Sequence, residues 1–113
     1  MNIVLDEIRA GEAVVLEVTG RIDSVTADAF DERIARLLAS EPKLFVLDFA
    51  NVAFLSSAGI RVLMLAAKKT RASGVRLALC SLPGNINQIF VISGIVPIFS
   101  IFPDRASAVS SSS

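Results

Sequence analysis

Residues 44–64, LFVLDFANVAFLSSAGIRVLM, change their hydrophobic period partway along. LFVLDF (44–49) is an apolar run whose only charge, Asp48, comes near its end, the pattern of a strand covered on both faces. From Ser56 or Ser57 the spacing becomes helical. Ile60, Leu63, Met64 and Ala67 predict the inner face of a helix running to Ser73, with Gly74 as its stop and Lys68, Lys69 and Arg71 placed to meet the negative end of its dipole. Residues 51–59 then read as a loop at the carboxyl end of a buried strand, where open α/β sheets carry their functional surface.

Working outward, Ile3, Leu5 and Ile8 form an opening strand. Ala10, Gly11 and Glu12 form a turn, and the β-branched run 13–19 (AVVLEVT) a second strand ending at Gly20. A helix follows, with Ala27, Phe30, Ile34, Leu37 and Leu38 on one face and Thr26 as its cap. Beyond Gly74, VRLALCSL (75–82) reads as a strand and NINQIFVIS (85–93) as a helix with Ile86, Ile89 and Phe90 together. IFSIF (98–102) reads as a last strand, Asp104 as the cap of a terminal turn, and Ser110 to Ser113 as a frayed tail. Strands alternating with helices predict parallel right-handed crossovers, hence a mixed, mostly parallel α/β sheet of four to five strands with helices mainly on one face. Residues 1–113 are expected to form one domain.

Eleven Lys and Arg against eleven Asp and Glu provide no basic surface for nucleic acid, so a protein partner fits better. The single Cys80 cannot form an internal disulfide, and its apolar neighbours predict a buried thiol in a reducing compartment. The amino terminus has acids where an export signal needs a basic stretch, so a cytoplasmic location is expected. The segment between Arg76 and Asp104 has no charge, yet Pro83, Gly84, Gly94, Pro97 and Pro103 break it, which argues against membrane insertion.

Without His, Tyr or Trp the chain lacks the usual general base and the commonest metal ligand, and it also has no Gly-rich phosphate loop of the Walker or dinucleotide type, so a binding module without cofactor or metal is expected rather than an enzyme. Ser56 and Ser57 then stand out. Either suits a helix N-cap, and an exposed hydroxyl there can also be modified. Asp23 ends a strand at the same sheet edge and can either form a turn with Ser24 or shape a partner surface. Asp48, an acid late in a central strand, offers a rival phosphoacceptor of the receiver-domain kind. That chemistry needs more acids at the first strand's end and a lysine after the last strand; Asp6 and Glu7 match the acids weakly, and IFSIFPD contains no lysine.

The motif FLSSAGIRVLM behind the VLDFANV strand resembles the signature of STAS domains, the fold of bacterial anti-sigma factor antagonists. GRID (20–23) and ISGI (92–95) are similar to two further motifs of that family, in the same order. The resemblance spans nearly the whole chain. It implies that the serine after the motif's acid, Ser57 here with Ser56 as the alternative, is phosphorylated by a serine kinase of histidine-kinase-like fold that also serves as anti-sigma factor. A phosphatase reverses the modification, and the unmodified domain captures the kinase and releases its client. Ser56 stands where the motif has Asp, and Ala58 where many members have Ser or Thr. The expected partner face comprises Asp23, Leu55, Ser56, Ser57, Gly59 and Ile60. A second role that the resemblance allows is a STAS subunit that regulates a membrane transporter or larger assembly without a phospho-switch.

Overall fold

The computed structural model describes residues 3–111. Strands β1 (Ile3–Ala10) and β2 (Ala13–Ile22) form the expected antiparallel hairpin, in which Ala10 faces Ala13 and Gly11 turns at φ 64°. A glycine at that place accepts the positive φ without a side-chain clash. Then follow α1 (Ala27–Leu38), β3 (Leu44–Leu55), α2 (Ser57–Ser73), β4 (Arg76–Cys80) and α3 (Gly84–Ile92). A short 3-10 turn (Val96–Ile98), β5 (Ser100–Phe102) and α4 (Arg105–Ser110) close the fold. The sheet order is β1-β2-β3-β4-β5, with β1 antiparallel and every later pair parallel. This five-stranded mixed sheet is the α/β architecture expected from the sequence.

The central strand β3 is covered on both faces, as its unbroken apolar run requires. One face carries Phe45, Leu47 and Phe49 into a core shared with Phe30 and Ile34 of α1, Leu63 of α2, and Ile86 and Phe90 of α3. Phe30 and Phe49 meet at 6.5 Å with their rings tilted by 53°. The opposite face carries Leu44 and Val46 against Val15, Ala78, Cys80 and Ala108 of α4. Three helices thus cover one face and the short α4 the other.

Several local expectations need correction. β3 does not end at Phe49 but continues through ANVAFL to Leu55, and β2 continues past Gly20 to Ile22. The two extensions pair with each other across register shifts at Glu17/Thr19 and Gly20/Arg21, and Gly20 sits at φ 110° inside the strand rather than after it. Such bulges break the strict alternation by which a strand is recognised. Thr26 makes no side-chain cap. Its hydroxyl donates to the Arg21 carbonyl and accepts the Asp23 amide. Met64 is 37% exposed, because the inward face of α2 runs through Gly59, Val62, Leu63, Ala66, Ala67 and Thr70. Only Ser100–Phe102 of the run 98–102 is strand, Ile98 belonging to the 3-10 turn. Asp104 caps α4 as expected, accepting the Ser107 amide at 2.8 Å. Ser110 is the last residue of α4 and Ser111 its C-cap, so neither is frayed, while Ser112 and Ser113 lie outside the described residues. The uncharged stretch is divided among β4, α3 and β5, and among the described residues no helix is long and apolar enough to cross a membrane.

Candidate functional site

Parallel pairing brings the ends of β2 and β3 level: Ile22 faces Leu55, and the Ser56 amide donates to the Ile22 carbonyl at 2.8 Å. The residue after each strand therefore emerges at the same carboxyl edge, Asp23 from β2 and Ser56 from β3. This pairing places together two segments 33 positions apart in the chain.

Asp23 builds its own turn. Its Oδ1 accepts the amides of Val25 (3.0 Å) and Thr26 (3.1 Å), and its carbonyl accepts Ala27 at 2.8 Å. The Thr26 amide does most to hold the carboxyl below the usual carboxylate range, with the Val25 amide, the Thr26 hydroxyl and the Arg21 charge adding to it. Arg21, 3.7 Å from Asp23, also lies over the Phe54 ring at 4.3 Å.

At the start of α2 the two serines divide two tasks. Ser56 is the N-cap: its backbone is extended (φ −91°, ψ 174°) and its hydroxyl accepts the Gly59 amide at 3.3 Å. Ser57 is the first helical residue, exposed, with a hydroxyl that has no intramolecular partner among the described residues. Gly59 is buried for a steric reason. A Cβ there would stand 2.6 Å from Ile22 Cγ2 and 2.6 Å from Leu55 Cδ1, so the helix start lies closer to the two strand ends than any other residue allows.

Of the six residues expected on a partner face, Asp23, Ser56, Ser57 and the half-buried Ile60 surround this edge. Leu55, only 3% exposed, and Gly59 lie beneath it, so they can shape the face without being touched. Sequence reading passed over Val25, which is 78% exposed at the tip of the Asp23 turn, and Arg61, one helical turn beyond Ser57. A large apolar residue inside the polar turn DSVT was the available signal for the first.

The rival at Asp48 has a different environment. Asp48 is 4% exposed and points to the α4 side of the sheet, away from α2. Its Oδ1 accepts the Ala50 amide at 3.0 Å and its Oδ2 the Arg105 Nε at 2.8 Å, while Arg105 also donates to Glu17. The Asp48 bond, followed by that to Glu17, pushes the Arg105 guanidinium up. Asp48 therefore ties α4 to the sheet and has no open approach for a phosphoryl donor. Among the described residues no group of three or more Cys, Asp or Glu is placed to hold a metal ion.

Fold and edge together define a class of small α/β domain in which a helix start presents a hydroxyl beside the end of the neighbouring strand. The chain belongs to the STAS domain family, which it matches over residues 5–108. It is 31% identical over 108 residues to BtrV of Bordetella bronchiseptica, described as a candidate anti-sigma factor antagonist, covering 96% of this chain and 91% of that protein. Its fold is similar to the crystal structure of an anti-sigma factor antagonist from Mycobacterium paratuberculosis, with TM-score 0.89 and 24% identity over 97% of this chain and 93% of that one. It is also similar to the Bacillus cell fate determinant SpoIIAA in its phosphorylated form, with TM-score 0.73 and 17% identity over 97% of this chain and 98% of that one.

Proposed function

We propose that this chain is an anti-sigma factor antagonist that works by partner switching, with Ser57 as the phosphorylated residue. The observation that carries the reading is the division of labour at the start of α2: Ser56 caps the helix, and Ser57 beside it is exposed, with no intramolecular partner among the described residues. The overall similarity to BtrV supports the class.

The physics of such a switch follows from the position. A phosphate adds about −1.5 to −2 charges, and the free amides and dipole of a helix start tolerate that charge within the domain. A partner seated against Ser57 and Ile60 would instead have to strip water from the new dianion or oppose it with its own acids. A hundredfold loss of affinity needs only about 2.7 kcal/mol. In this reading the partner is an anti-sigma factor and serine kinase of histidine-kinase-like fold, a serine phosphatase reverses the mark, and the cycle runs in the cytoplasm without catalysis by this chain.

The test is phosphoryl transfer from ATP by the cognate kinase, with the modified residue located by mass spectrometry. Ser57→Ala is expected to abolish the label. Labelling of that variant at the wild-type rate rejects Ser57, and equal capture of the kinase by modified and unmodified protein rejects the switch.

A further inference from the structure

On α2, Ser57, Arg61, Met64, Lys68 and Arg71 follow one another at alternating steps of four and three, so they share one face, and all are exposed. Met64 and Leu65 are 37% and 41% exposed, and Ile98 of the 3-10 turn is 37% exposed. These three apolar residues help line a groove of about 440 Å³ whose wall includes Arg61, Lys68 and Arg71 and no acid. A second hollow of about 200 Å³ shares Ala67, Arg71 and Ile98 with it, so the concavity continues toward Thr70 and Phe99.

None of the three cations makes an ion pair among the described residues. Lys69, by contrast, turns to Asp31 of α1 at 3.8 Å. In a chain with no net charge, the groove thus concentrates three uncompensated positive charges around an apolar floor.

We infer that this groove receives an acidic amphipathic helix of a protein partner, its apolar side on Met64, Leu65 and Ile98 and its carboxylates on Arg61, Lys68 and Arg71. Helix-in-groove recognition uses this combination of an apolar floor and a charged rim, and an exposed methionine adapts its shape to what it meets. A flat bilayer would leave the concavity unfilled, and the chain has no Trp or Tyr to anchor at a membrane interface. The inference rests on the reading of α2 as the partner-facing helix and deepens it. Ser57 begins the same stripe one turn before Arg61, so a phosphate there repels an acidic occupant and competes for that cation.

The test uses the full chain, labelled with nitrogen-15, and four probes. The first is a short synthetic peptide of Glu and Leu with Leu at helical spacing. The others are a scrambled peptide of the same composition, a peptide with Lys in place of Glu, and phosphatidylglycerol vesicles. The first probe alone is expected to shift the amides from Arg61 to Arg71 and that of Ile98. Its affinity is expected to fall at least about tenfold in Lys68→Glu/Arg71→Glu and in Leu65→Ser, both at exposed positions, with melting temperatures unchanged. Equal binding of the scrambled peptide, shifts elsewhere, indifference to both variants, or binding of vesicles alone would overturn the inference. Ser57→Ala separates the two proposals. If it binds the peptide normally but is phosphorylated as readily as wild type, only the Ser57 switch is lost; if labelling follows Ser57 and no peptide occupies the groove, only the groove is lost.

Discussion

The Ser56 hydroxyl accepts the Gly59 amide at 3.3 Å, closing the first turn of α2 and leaving the adjacent Ser57 hydroxyl to solvent. Changes at these neighbours should therefore separate stability from signalling. Ser57→Asp places an acid near a helix start, where it is neutral or stabilising by up to about 1 kcal/mol. The expected result is an unchanged or slightly raised melting temperature together with weakened capture of the proposed kinase partner, read by calorimetry and by binding. Ser56→Ala should cost about 1 kcal/mol in urea unfolding through loss of the cap, while Ser56→Asp should retain it.

Gly59→Ala should destabilise by about 1–2 kcal/mol, even though alanine is the better helix former. The new methyl would stand 2.6 Å from both the Ile22 and Leu55 side chains, and Ile22 Cγ2 lies on a stiff β-branched residue. Urea unfolding reads the loss. A gain in stability would show that the helix start has slack.

Arg105→Ala removes the partner of a carboxylate whose side chain is 5% exposed. About 2 kcal/mol of stability should be lost, because among the described residues Asp48 then retains only the Ala50 amide. With Asp48→Asn as well, the combined loss should be less than the sum of the two single losses, the mark of a coupled pair.

Asp23 is expected to contribute an acid limb to the stability profile. Its carboxyl titrates below the ordinary range because the folded chain donates amides to the charged form, chiefly that of Thr26. The stabilisation is present above the unfolded value of about 3.9 and is lost as pH falls through the lower, folded value. The stability gap between wild type and Asp23→Ala should therefore be full at neutral pH and close in strong acid. Urea midpoints across that range test the sign.

Cys80 should be unreactive toward thiol reagents in the native protein and react once on unfolding. Burial pushes its thiol up to about 11, so little thiolate forms near neutrality, and the sulfur lies under α4. Rapid native labelling would show that α4 opens.

The hairpin, the apolar face of α1, the buried run of β3 and the cap of α4 were legible because each depends on local periodicity or a local hydrogen bond. The far halves of β2 and β3 were not, since their pairing includes two bulges and a glycine inside the strand. Met64 was misplaced because small residues, Gly59, Ala66 and Thr70, hold part of the inner face of α2 and carry little hydrophobic signal. At the candidate edge, the serine pair and Asp23 were visible as residue types. That Ser56 rather than Ser57 supplies the cap depends on the helix start to a single residue. The Glu17–Arg105–Asp48 cluster needed strand register, which no spacing in the chain discloses.

The close seat of Gly59 on Ile22 and Leu55 bears on how any mark at the head of α2 could be transmitted. A helix wedged that tightly cannot roll or slide without unpacking two strand ends, so a group added at Ser57 would serve as a badge rather than a lever. If Ser57 carries the proposed mark, recognition would rest wholly on what the visitor encounters at the surface, and the speed of switching on whatever enzymes write and erase it.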